Sequence, residues 1–275
     1  MMLYKPALCV VAQGAKQVSL GDEVFDYAEG SALVVSVELP AFGGVTVASP
    51  AKPYMGITIE LDTALMREVL EQMELAPKPT GEKLGVFVER LSDPLQDCIV
   101  RLVQLLKTPD AISVLYPSIM KEICFWLLAG PNGGEVSKIV RVESHTRRIA
   151  DAIYLVRKDF TRDIPVEEMA DAARMGVSSF HQHFKTLTAM SPLQFQKHLR
   201  LLEARRLMVT QAMTVSNAAL HVGYESVSQF SREYARMFGA SPKRDVEMLK
   251  ARVAPNETPG AQAKVRDALP GVAVT

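Results

Sequence analysis

The first 144 residues contain no histidine; His145, His181, His183, His198 and His221 all come later. A histidine-ligated metal site in the first half is therefore excluded. Cysteine is scarce as well. Cys9, Cys98 and Cys124 are odd in number, far apart and without Cys-x-x-Cys spacing, which points to reduced, buried thiols in a cytoplasmic chain rather than a disulfide framework. Long apolar runs are missing: Ile123–Ala129 is the longest unbroken one, far short of the ~20 residues that cross a bilayer. Met1–Pro6 lacks the features of an export signal. Neither a Ser-His-Asp set, nor paired catalytic acids, nor a phosphate loop is found, so catalysis and cofactors are not expected.

Net charge is also absent over the 275 residues, with 31 basic against 31 acidic side chains. The balance conceals an asymmetry. Residues 1–144 hold 12 Lys and Arg against 18 Asp and Glu, whereas residues 145–275 hold 19 against 13. Such a split suggests an acidic domain followed by a basic one, the latter suited to a polyanion.

From Leu8 to Leu61, short apolar segments alternate with turn residues. Leu8–Val11, Glu23–Tyr27, Leu33–Val37 and Met55–Ile59 are separated by Gly21-Asp22, Glu29-Gly30, Gly43-Gly44 and Pro50 to Pro53, the pattern of an antiparallel sandwich or barrel. After Leu61 the spacing becomes helical. Leu65, Val69 and Met73 form one stripe behind an Asp62 or Thr63 cap, and Ile99, Leu102, Val103 and Leu106 form another after Asp93-Pro94. A third helix is expected from Ser113 to Leu128. The turn Gly130–Gly134 is then a candidate boundary, with a helix from Glu135 to Lys158 leading onward. The tail from Ala254 has no period and is expected to be disordered.

The basic half contains a twofold internal similarity, between Val166–Lys185 and Val215–Tyr234. Each copy has a short helix with a small residue, Ala170 or Ala219, then a turn, then a helix with aromatics four apart: Phe180 and Phe184, or Phe230 and Tyr234. This is the arrangement of a helix-turn-helix. The alanine permits close crossing, and the aromatics anchor the second helix by its inner face. With those aromatics inward, Ser178, His181, Gln182 and Lys185 face outward in the first copy. Ser228, Gln229, Ser231 and Arg232 flank or lie opposite the inner face in the second. Gln suits adenine, Arg guanine and Ser either, so Ser178, His181, Gln182, Ser228, Gln229 and Arg232 are candidates for reading bases. Lys185, Arg205, Arg206, Arg236, Lys243 and Arg244 are candidates for phosphates, with a solvated helix face as the alternative for Arg205 or Arg206. Between the copies, Ser191-Pro192 opens a long helix that fixes the distance between two reading heads.

Residues 164–246 resemble the DNA-binding domain of the AraC/XylS regulators. The resemblance is carried by Phe184-Lys185, Met190–Phe195, Leu199–Leu201, Ala204–Leu207, Ala218-Ala219, Val222–Ser226, Phe230–Arg232 and Phe238–Pro242. Leu8–Lys16 and Leu33–Pro40 are similar to the cupin-like N-terminal domain of one branch of that family. The fold class implied is α+β multidomain: a cupin-like antiparallel β-barrel with a helical appendage over residues 1–134, a linker at 135–145, an all-α domain with two helix-turn-helix units joined by a long helix at 146–250, and a disordered tail at 251–275. The resemblance further implies an activator on promoter DNA, a small-molecule effector in the barrel, contact with RNA polymerase, and a homodimer. Its place is the cytoplasm, on the nucleoid when bound to DNA, with no membrane and no metal. Alternatives are electrophile or redox sensing at Cys9, and a cupin-type enzyme fused to a DNA-binding domain.

Two departures from the family pattern stand out. Arg174 occupies the first turn where glycine is common, with Gly176 two residues later. A left-handed Arg174 costs on the order of 1 kcal/mol, so a differently shaped turn is expected. The barrel resemblance also begins at Met1, short of the strands that usually precede Leu3–Pro6, as an incomplete barrel or a late-assigned start codon would produce.

Overall fold

The computed structural model describes residues 2–79, 81, 83–141, 143–252, 269 and 271–274. Seven strands open the chain: β1 (Met2–Tyr4), β2 (Ala7–Gln13), β3 (Ala15–Leu20), β4 (Glu23–Ala28), β5 (Ser31–Val35), β6 (Leu39–Val47) and β7 (Met55–Glu60). Then come α1 (Thr63–Gln72), β8 (Val86–Arg90), α2 (Asp93–Gln104), α3 (Ile112–Ala129) and α4 (Gly133–Ser137). The remaining helices are α5 (His145–Asp159), α6 (Val166–Ala172), α7 (Val177–Thr188), α8 (Pro192–Thr210), α9 (Val215–His221), α10 (Val227–Phe238) and α11 (Pro242–Arg252), and a last strand β9 spans Val272–Val274.

The strands form two antiparallel sheets, ordered β1-β6-β3-β4 and β8-β5-β2-β7-β9, which face each other as a barrel-like sandwich. β2 explains why the sequence here reads as a continuous apolar run. Its odd positions Ala7, Cys9 and Val11 point into the barrel interior, while Leu8 and Val10 enter a second, outer core beneath the helices. β5 divides in the same way, Leu33 and Val35 inward, Ala32 and Val34 outward. A strand buried on both faces needs apolar side chains at every position.

Helices α1, α2 and α3 cover the outer face of the five-stranded sheet. Asp62 caps α1 by accepting from the backbone of Ala64 and Leu65, and Pro94 sits in the first turn of α2. The segment Pro109–Ala129 is long and apolar enough to cross a membrane, yet one of its faces is spent on this core, through Ile119, Met120, Ile123, Cys124, Leu127 and Leu128. β8 lies among these helices in sequence. Its short Val86-Phe87-Val88 alternation was hidden between stronger helical signals, and pairing with β5 makes it a strand.

The helix expected from Glu135 to Lys158 is two helices. Val136, Ile139 and Val140, within the 135–145 stretch expected as linker or helix, fold back into the outer core. Ser144 then starts α5 afresh, its hydroxyl accepting from the Arg147 amide at 3.0 Å. A second correction concerns the tail. Residues 253–268, 270 and 275 lie outside the described residues, but Leu269 is fully buried and β9 pairs with β7 as an edge strand. Burial of Leu269 and Val272 accounts for β9, which the composition of the tail did not reveal.

The two halves touch. The Gly85 amide donates to the Leu187 carbonyl at 2.8 Å, Arg157 pairs with Glu38 at 2.8 Å, and Phe180, Phe184 and Phe195 join the same apolar cluster as the barrel interior. The second helix-turn-helix has its own core, built from Leu201, Ala204, Leu207, Met208, Ala218, Phe230 and Tyr234.

Candidate nucleic-acid interface

Each helix-turn-helix unit is built from two short-range devices. In the first, α6 closes on a turn in which the Met175 amide donates to Ala170 at 3.0 Å and the Arg174 amide donates to Asp171 at 2.9 Å. In the second, the Tyr224 amide donates to Ala219 at 3.0 Å and the Gly223 amide to Leu220 at 3.1 Å. These are the same Schellman closure, which places one residue in the left-handed region. That residue is Arg174 at φ 55° or Gly223 at φ 88°. The expectation of a differently shaped first turn is corrected: Arg174 carries the strain and the turn keeps its form. Space explains why only one unit tolerates a side chain. A Cβ on Gly223 would lie 1.9 Å from the Thr161 carbonyl oxygen, whereas the side chain of Arg174 is exposed.

The aromatics behave as the spacing requires. Phe180 and Phe184 lie 5.3 Å apart between ring centroids, and Phe184 meets Phe195 of α8 edge-on at 5.4 Å. Phe230 and Tyr234 repeat the arrangement at 5.5 Å. All five of these side chains are fully buried. Opposite them, Ser178, His181, Gln182 and Lys185 on α7 and Ser228, Gln229 and Arg232 on α10 are exposed. His183 turns aside, and its ring lies 3.7 Å from that of His145.

α8 is the bracket. Ser191 and Gln194 form a reciprocal capping box at its start, with Pro192 in the first turn. Phe195 and Leu199 enter the core of the first unit, while Leu201, Ala204, Leu207 and Met208 enter that of the second. Apolar side chains therefore occur on more than one face of the helix. Gln196 and Arg200 add a polar clamp: Gln196 donates to the Phe160 and Arg162 carbonyls, and Arg200 donates to Phe160 at 2.6 Å, Thr161 at 3.2 Å and Asp163 at 3.0 Å. The same Thr161 carbonyl excludes a side chain at Gly223, so loop 160–163 seats the second turn against α8. Sequence reasoning missed this clamp. Arg200 carries only the mark of a cation in an otherwise apolar stretch.

The candidate phosphate contacts do not all survive. Arg205 forms a bidentate pair with Asp245, both bonds 2.8 Å, and its guanidinium lies 4.4 Å from the centre of the Phe238 ring. Asp245 also accepts from the Tyr234 hydroxyl at 2.6 Å. Burial alone would push the Asp245 carboxyl up, but bonds from Arg205 and Tyr234 outweigh it and hold the group below the usual carboxylate range. Arg205 thus ties α11 to α8 and is withdrawn from the phosphate set. Arg206 pairs with Glu203 one turn back on the exposed side of α8. Lys185, Arg236, Lys243 and Arg244 are exposed.

Gln229 is not left to wander. Its amide donates to Glu233 at 3.2 Å, and Glu233 also accepts from Lys197 at 2.9 Å and the Tyr224 hydroxyl at 2.7 Å. Burial works against ionisation of Glu233, but these three donors outweigh it and hold its carboxyl below the ordinary range. The ionised group orients the side chain that faces outward.

Two family matches fit this architecture. The family described as AraC-type transcriptional regulator N-terminus matches residues 1–135, and a helix-turn-helix domain matches residues 169–247. This chain belongs to the AraC-type transcriptional regulators. It is a DNA-binding regulator with a helix-turn-helix domain behind an AraC-type N-terminal domain. The HTH-type transcriptional regulator ExsA of Pseudomonas aeruginosa is 22% identical over 244 residues, 86% of this chain and 84% of its own. The virulence regulon transcriptional activator VirF of Yersinia enterocolitica is 24% identical, over 61% of this chain and 59% of its own length. In fold, the chain is similar to an apo lysine-to-alanine variant of ToxT from Vibrio cholerae, with a TM-score of 0.58, 13% identity, and coverage of 88% of this chain and 89% of ToxT.

In the N-terminal domain, Cys9 lies in the barrel interior with 6% exposure, its sulfur 4.0 Å from the Thr58 hydroxyl. Burial pushes the thiol up, against a smaller opposing pull from Lys16. Thiol sensing requires the opposite shift, so Cys9 has the character of a core residue. Around it stand Tyr4, Tyr27 and Tyr54, with the Lys16 ammonium 5.6 Å from the centre of the Tyr4 ring. Among the described residues, the buried hydroxyls of Tyr4 and Tyr27 have no hydrogen-bond partner. Burial lowers the Lys16 ammonium from its ordinary range.

Proposed function

We propose that α7 and α10 enter neighbouring major grooves on one side of DNA, with Ser178, His181 and Gln182 reading one half-site and Ser228, Gln229 and Arg232 the other. The observation that carries this reading is the pair of exposed polar faces, each opposite buried aromatics, on two units held by one helix with a foot in both cores. Successive grooves are about 34 Å apart, and a bracket of this kind spans them without a second subunit. Lys185, Arg206, Arg236, Lys243 and Arg244 hold phosphates.

The N-terminal domain is the sensor. A small, largely apolar molecule bearing a carbonyl suits the barrel interior, where the Tyr4 and Tyr27 hydroxyls and Lys16 offer donors and the walls are aliphatic. The ToxT structures include one described as bound to an unsaturated fatty acid, which agrees with an organic effector in this fold. Activation together with RNA polymerase, a homodimer and a cytoplasmic site on the nucleoid complete the reading, with no catalytic step. VirF, an activator by name, supports the direction of control.

The test is quantitative binding of the full chain to DNA upstream of its gene, against random competitor, at two salt concentrations. Arg232→Ala is expected to relax preference at one base pair by about 1–3 kcal/mol, while Lys243→Ala weakens all sequences alike and lowers the salt slope by about 1. Equal losses on specific and random DNA for Arg232→Ala would refute its base-reading role. No sequence preference in the unaltered chain would remove the reading altogether.

A further inference from the structure

The left-handed positions of the two turns differ in what they present to the outside. Gly223 is walled in by the Thr161 carbonyl and the Arg200 guanidinium, so the second unit has no room for a side chain there. Arg174 holds the equivalent place in the first unit at φ 55°, and it is exposed. Carboxylates pair with most arginines of this domain, as they do with Arg157, Arg162, Arg200, Arg205 and Arg206. Among the described side chains of residues 145–251, the arginines without such a pair are Arg174, Arg232, Arg236 and Arg244. The last three belong to the proposed DNA interface; Arg174 is the one without a role. Glycine would relieve the strain at its position, and strain of this kind gathers at functional sites.

We propose that Arg174 binds a DNA phosphate at the rim of the groove that α7 enters. The inference rests on α7 being a DNA-reading helix. Ser178, His181 and Gln182 lie in the first half of α7, so the N-terminal end of that helix enters the groove and the turn before it comes to the rim. A Cβ on Gly176 would meet nothing within 4 Å, which leaves the outer side of the turn open to a DNA strand. Lys185 sits in the last turn of α7, and Val177 to Lys185 rise about 12 Å along the axis, near the ~12 Å width of the major groove. The two cations therefore flank the groove, one for each strand. In the second unit Arg236 occupies the last turn of α10, but Gly223 offers no cation at the other end. The two units then differ by one phosphate contact, and the arginine that supplies it is the residue that carries the strain.

Arg174→Gly, Arg174→Ala and Arg174→Lys in the full chain test it, each titrated with the DNA upstream of its gene and with random DNA over a fourfold range of salt. Glycine and alanine remove the same cation but act differently on the turn, because glycine relieves the left-handed strain and alanine keeps it. Both should lose affinity by about tenfold or more at the low-salt end, on either DNA. Both should also lower the slope of log K against log salt by about 0.9, so that the deficit shrinks about 3.5-fold across the range. Arg174→Lys should keep the slope of the unaltered chain. Thermal melts run alongside should show Arg174→Gly to be no less stable than the unaltered chain, which separates a lost contact from a lost fold. An unchanged salt slope in the glycine and alanine variants would overturn the proposal. A loss confined to alanine would also overturn it, since strain alone produces that result. Failure of the unaltered chain to bind either DNA would remove the reading of α7, and the proposal with it.

Discussion

The two turns share one backbone form and should respond oppositely to the same kind of substitution. Arg174→Gly releases a left-handed arginine, which costs about 1–2 kcal/mol, but glycine adds about 0.5–1 kcal/mol of conformational entropy to be lost on folding. The balance is a gain of about 0.5–1 kcal/mol. For a folding unit of roughly 100 residues, this raises the Tm by about 2–6 °C. Gly223→Ala acts in the other direction. The new Cβ meets the Thr161 oxygen at 1.9 Å and also inherits a φ of 88°, so either loop 160–163 moves or the turn opens. Strain of this kind costs about 1–3 kcal/mol for the backbone alone, and displacing a carbonyl that also accepts from Arg200 adds to it; at least ~3 kcal/mol is expected. Urea denaturation followed by circular dichroism, with thermal melts as a second probe, measures both. Destabilisation by Arg174→Gly, or a neutral Gly223→Ala, would refute the reasoning, because either result would mean that backbone strain and the Thr161 contact do not set the two turns apart.

Arg205→Ala should destabilise the second unit by roughly 2–4 kcal/mol, since it leaves the buried Asp245 charge with Tyr234 alone, and it should weaken specific and random DNA binding together through loss of fold. The same pair sets an acid limit. Asp245 and Glu233 titrate below their unfolded values, so their contributions are fully present above about pH 4–4.5 and are lost as the pH falls through the folded values; melts between about pH 7 and 3 should show the second unit weakening on the acid side. Glu233→Ala should weaken discrimination at the base pair met by Gln229 by about 0.5–1.5 kcal/mol, read by competition among single-substituted sites, and leave the other half-site unchanged. Native Cys9 should resist iodoacetamide at neutral pH and react only after denaturation, as mass spectrometry would report.

Much of the reading domain was legible from local signals. Aromatics four apart, small residues at the crossing and the Ser191-Pro192 start each act within a few residues, where helical period and capping decide structure. The outward set Ser178, His181, Gln182, Ser228, Gln229 and Arg232 followed as the complement of the buried faces, and all six are exposed. The barrel was legible in class but incomplete in detail. β8 lay between helices, and the break after Ser137 depended on whether Ile139 and Val140 found an apolar core elsewhere, which no period along the chain records.

By itself, the sequence determined that this protein carries two copies of one helix-turn-helix behind a β-rich domain, because those features rest on periodicity and turn chemistry over short spans. Tertiary structure decided how each cation and each edge is used. Arg205 meets Asp245 and Lys197 meets Glu233, partners 40 and 36 residues away, and β9 completes a sheet begun near the other end of the chain. A cation half-buried against a buried carboxylate, as Arg205 is against Asp245, is not available to DNA, and β9 forms only because an open strand edge receives it. Both depend on distances that close when the chain folds.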